Sequence, residues 1–117
     1  MAYIDGFLAA VPEENKAAYE AWVKVGQAVF KDCGAENIVD AWEDDVPDGQ
    51  VTSMRKAVDA KSGEKIAFAW IVWADEAARD AGFEKMMADP RMSPEQNPMP
   101  FDGQRLIFGG FNPIQMT

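Results

Sequence analysis

The apolar and polar positions alternate with two different periods along the chain, and the changes of period mark out its elements. Tyr3 to Val11 (YIDGFLAAV) places Tyr3, Phe7, Ala9 and Val11 on one side of an extended chain and Ile4, Leu8 and Ala10 on the other, which predicts a central strand. Pro12-Glu13-Glu14-Asn15 supplies turn chemistry and acids suited to the positive end of a helix dipole. Tyr19, Trp22, Gly26, Val29, Phe30 and Cys33 then recur at steps of three and four, predicting a helix over Glu13 to Cys33 that stops at Gly34. Asn37 to Asp44 (NIVDAWED) mixes Ile38, Val39 and Trp42 with Asp40 and Glu43, as an edge strand with one wet side does.

Val46-Pro47-Asp48-Gly49 and Lys61-Ser62-Gly63-Glu64 read as turns, and Val51 to Ala60 between them fits a short helix or a strand equally well. Ile66 to Trp73 (IAFAWIVW) is apolar throughout and rich in aromatic and β-branched residues, a second central strand. Asp75 is the natural N-cap of a second helix with Ala78, Phe83, Met86 and Met87 on its inner side, ended by Asp89-Pro90. Asp89 to Gly103 carries four prolines and no period, a connection long enough to serve as a lid or binding loop. Arg105 to Phe111 (RLIFGGF) closes the chain as a strand whose Gly109-Gly110 predicts a bulge or a close backbone approach.

The resulting order predicts an α+β fold: a single ferredoxin-like domain over residues 1–117, with an antiparallel sheet and two helices on one face. Two helices cover one face only, yet three of the strands offer apolar side chains to both. An uncovered second face would expose a patch far larger than monomers tolerate, so an identical subunit is expected to cover it, giving a homodimer.

Composition narrows the partners. The net charge of −9 repels phosphate backbones and no basic stripe offsets it, so no nucleic-acid partner is expected. Residues 1–50 hold eleven acids against three lysines, whereas residues 51–117 hold nine acids against eight bases, including all four arginines. No apolar run reaches a membrane span and the N-terminus resembles no signal peptide, so no membrane partner and a cytoplasmic location are expected. The single cysteine, Cys33, fits a reducing compartment.

The segments Tyr3 to Phe7, Trp42 to Gly49, Glu84 to Met92 and Asn97 to Gly103 resemble those of a bacterial family of unknown function, the YbaA-like DUF1428 proteins, and the likeness covers nearly the whole chain. It implies a dimeric α/β-barrel, in which two ferredoxin-like sheets pack face to face. It implies no catalytic residues.

Candidate chemistry is sparse. The absence of histidine removes His-based triads and imidazole metal sites, and one cysteine cannot build a thiolate cage, so no metal and no cofactor are expected. Asp44, Asp45 and Asp48 lack the full spacing of a calcium loop and read as a solvated turn. Met86, Met87 and Met92 read as core filler. Cys33, at the negative end of a helix, reads as structural. The expected site lies between the sheet and the proline-rich loop, walled by Trp42, Trp70 and Phe101, with Arg55, Arg79 or Arg91 as anchor for a small acidic or aromatic ligand. A small binding protein is the predicted function, and a cofactor-independent enzyme of monooxygenase or isomerase type is the alternative.

Overall fold

In a computed structural model that describes residues 1–117, the four strands assemble into one antiparallel sheet. Along the chain run β1 (Tyr3–Pro12), a 3-10 turn (Glu13–Asn15), α1 (Lys16–Asp32), β2 (Asn37–Trp42), α2 (Met54–Ala57), β3 (Glu64–Trp73) and α3 (Glu76–Ala88). Two further 3-10 turns, Pro90–Met92 and Gly103–Arg105, precede β4 (Ile107–Phe111). Across the sheet the order is β2-β3-β1-β4, so β1 and β3, two of the three strands apolar on both sides, sit in the middle and the third, β4, lies at an edge. Every neighbouring pair is antiparallel.

The register between β1 and β3 runs unbroken from Tyr3 opposite Trp73 to Pro12 opposite Glu64. Side chains alternate across such a ladder. Tyr3, Asp5, Phe7, Ala9 and Val11 therefore share a face with Trp73, Ile71, Ala69 and Ala67, and α1 and α3 pack on that face through Tyr19, Val29, Phe30 and Phe83. Gly82 lets α3 approach: a Cβ there would run into the Trp73 ring. Asp5 is buried on the same face and satisfied by the indole of Trp73, whose Nε1 donates to Oδ2 over 2.9 Å, and by Arg79 at 3.6 Å.

Several elements differ from the sequence reading, each for a local reason. The Glu13 N–H donates to the Gly63 carbonyl and so prolongs the strand pairing, which delays the α-helix to Lys16. The ambiguous link contains a third helix, α2, capped by the Ser53 hydroxyl, which accepts from the Lys56 N–H over 3.0 Å. Val58 just beyond it packs against Ala10 and Ile66, on the face away from the long helices. One end of that second face is thus covered by the chain's own link rather than left wholly bare. At Gly109-Gly110 the register with β1 is continuous, without a bulge; the glycine admits the Tyr3 ring, which a Cβ on Gly110 would strike.

The molecule is a slab 38 × 38 × 21 Å, the thickness of one helix layer on one sheet. Of the second face, Leu8, Trp70 and Val72 are only half-buried, and Phe68, Ile107 and Phe111 are exposed.

Candidate functional site

Between the helix layer and the sheet lies a cavity of about 270 Å³. The sheet supplies its floor, including Phe7, Ile38 and Asp40; α1 supplies a wall of Tyr19, Trp22, Gly26, Gln27 and Phe30. Met86, Met92, Met99, Phe101 and Leu106 close it from the side of α3 and the proline-rich loop. The loop is tied down near Phe101, where Asn15 Nδ2 donates to the Pro100 carbonyl over 2.8 Å. That latch seats the Phe101 ring edge-on against Tyr19 and Trp22, with centroids 5.8 and 5.3 Å away.

Fifteen of the eighteen lining residues are hydrophobic, which singles out the other three: Gly26, Gln27 and Asp40. Gly26 sits in the middle of a helix, where glycine costs roughly 0.5–1 kcal/mol relative to alanine. Apart from its own helix turn, nothing lies within 4 Å of where its Cβ would be, so packing does not demand it; it leaves space. Gln27 Nε2 donates to Asp40 Oδ2 over 2.7 Å, and the other carboxylate oxygen takes no hydrogen bond from the protein.

Burial pushes the Asp40 carboxyl above its ordinary range, and the Gln27 hydrogen bond only partly offsets this. The Tyr19 phenol is raised as well, by burial first and by the charge of Asp40 second, so it stays protonated and able to donate. An apolar chamber thus contains one acid, one amide and one phenol. No three His, Cys, Asp or Glu side chains converge anywhere to hold a metal ion.

The six residues singled out in the sequence do not converge. Phe101 lines the cavity; Trp42 stands behind it, packed on Tyr19 at 5.8 Å with the Lys16 ammonium over its ring. Trp70 lies on the opposite face of the sheet, beside Phe68. Arg55 pairs with Glu43 and with Asp48 at 3.4 Å. Arg79 pairs with Asp5 and Asp80, donates to the Tyr3 hydroxyl over 2.8 Å and lies over the Tyr3 and Phe83 rings. Arg91 is held by Asp89 at 2.8 Å and Asp32 at 3.1 Å. The polar residues of the cavity are ones the sequence reading passed over. Asp40 had left a signal: two-residue periodicity puts it between Ile38 and Trp42 on the inner face of β2.

A two-layer α+β protein with an apolar chamber between its layers is the class that these features define. Within that class, the chain belongs to the family described as protein of unknown function (DUF1428), whose model matches residues 2–103. The uncharacterized protein YbaA of Escherichia coli (strain K12) is 47% identical to it over 114 residues, covering 97% of each chain. The YbaA protein of Shigella flexneri matches at the same identity and coverage. No helix is long and apolar enough to cross a membrane.

Proposed function

We propose that the chain is a small-molecule-binding protein of ferredoxin-like fold, and that two copies join by the second faces of their sheets into an α/β-barrel. The observation that carries the binding reading is the cavity itself: an apolar chamber into which an acid, an amide and a phenol converge, the usual make-up of a ligand site. The mid-helix glycine adds to it, since a sequence selected for stability alone gains by filling that position. The dimer draws its support from the apolar second face, where Phe68, Ile107 and Phe111 stand exposed.

Gly26→Leu tests the binding reading. The substitution meets open space at its Cβ and gains helix propensity, so the thermal midpoint should hold or rise. Its side chain fills the chamber, so binding of a neutral apolar probe such as ethylbenzene, read by calorimetry, should be lost. Equal affinity in both proteins would place the binding elsewhere.

The enzymatic alternative draws on the same carboxyl, because a raised pKa beside a protonated phenol suits a general base with an enolate-stabilising donor. In that reading Asp40 removes a proton from the carbon between a carbonyl and a C=C bond, the electron pair passes to the carbonyl oxygen, and the dienolate collapses as the proton returns at the far alkene carbon, which shifts the double bond into conjugation. Solvent deuterium entering a bound ketone would mark it; a pure binder gives no such exchange.

A further inference from the structure

Given that the cavity is a binding site, we infer that its ligand carries a protonated amine on an aromatic or branched apolar body, with the nitrogen paired to Asp40 and set among the rings of Tyr19, Trp22, Phe30 and Phe101.

Charge sets the class of ligand. Asp40 is the one ionisable acid or base among the lining residues besides the phenol, and the protein supplies it with an amide but no cation. A carboxylate in an apolar chamber is costly unless paired, and one of its oxygens is still free of protein donors. The chain's own guanidinium groups are committed elsewhere: Arg55, Arg79, Arg91 and Arg105 each hold carboxylates outside the lining. A positive charge to pair with Asp40 inside the chamber would therefore come with the ligand. An anionic ligand would instead meet Asp40 with no guanidinium to answer it.

The rest of the chamber agrees. Aromatic faces attract an alkylammonium group, and five rings, Phe7 among them, surround the space. A metal ion fits poorly, since one carboxylate and one amide fall short of the oxygen count a hard cation takes. The volume equals roughly nine water molecules, which suits a ligand of about ten non-hydrogen atoms. Net charge acts in the same direction over longer range, because a protein at −9 draws cations toward its surface and repels anions.

The test compares four probes of one shape on the unmodified chain at neutral pH and low salt: 2-phenylethylamine, 2-phenylethanol, 3-phenylpropionate and ethylbenzene. Calorimetry should give the amine an affinity about ten-fold or more above ethylbenzene, with the alcohol between them and the carboxylate weakest. Asp40→Asn should erase the advantage of the amine. An amine no tighter than ethylbenzene, or one whose advantage survives Asp40→Asn in a folded protein, overturns the inference while leaving the binding reading standing. Failure of all four to bind overturns the binding reading and the inference with it. The probe series needs no variant, so misfolding of Asp40→Asn would not spare the idea.

Discussion

Two buried-side carboxylates show opposite responses to their surroundings. Glu64 receives a two-pronged hydrogen bond from Arg105, both at 2.7 Å, and this holds its pKa down to about 2. Asp40 lacks a cation and is raised by burial. The linkage signs follow. A depressed pKa contributes stability that is fully present above the ordinary value of 4.5 and is lost as pH falls toward about 2. A raised pKa means the charged form costs stability at neutral pH, a cost relieved as acid protonates the group. Glu64→Gln should therefore lower stability at pH 7 by about 1–2 kcal/mol, a figure reduced for solvent screening at the rim, and the deficit should shrink toward pH 2. Asp40→Asn should be neutral or stabilising at pH 7, with its gain vanishing in acid. Denaturant titrations at several pH values measure both; a Glu64→Gln deficit that stays constant to pH 2 would show that the ion pair contributes nothing.

At the scale of elements, the long periodic segments were legible and the short or polar ones were not. YIDGFLAAV and IAFAWIVW form the two central strands because a position between two other strands is where a segment with apolar side chains on both sides buries most of them. The second helix follows its cap as read, with the Asp75 carboxylate accepting from the Ala78 N–H over 2.7 Å. Residues 51–60 resisted reading because four helical residues span barely one turn, too few for a period to show. The helical state of that link rests on the Ser53 cap and on Val58, which finds its contacts 40 or more residues earlier, at Ala10, as well as on β3. Asp40 was legible in part. Alternation alone places it on an inner face, but whether such an acid is paired, solvated or enclosed depends on Gln27, thirteen residues away on α1.

On the scale of the whole molecule, the slab leaves much of one face of its sheet open, with Phe68, Ile107 and Phe111 exposed. One layer, of α1 and α3, covers one face, and the link over Ala10 and Ile66 protects only one end of the other. Apposing two such faces would bury the exposed Phe68, Ile107 and Phe111 together with half-buried Leu8, Trp70 and Val72, and a stable interface of this kind hides more than about 1,000 Å². Light scattering at micromolar concentration should give twice the 12.9 kDa chain mass. Phe68→Glu, which sets a charge in the middle of that face, should halve it without unfolding the chain, because the side chain is already 41% exposed in the single subunit. A wild-type monomer at that concentration would remove the dimer.

The sequence by itself determined the α+β class, the identity of the central strands and the family, because these depend on local periodicity and on motifs that lie within a few residues of one another. Tertiary structure alone decided the chemistry of the chamber. Gln27 and Tyr19 on α1, Asp40 on β2 and Phe101 in the proline-rich loop come from three separate segments, and Arg55, Arg79 and Arg91 each meet an acid that folding brings to them, Glu43, Asp5 and Asp32. Which charges meet, and which one is left without a partner, is a property of distances across the fold that no period along the chain records.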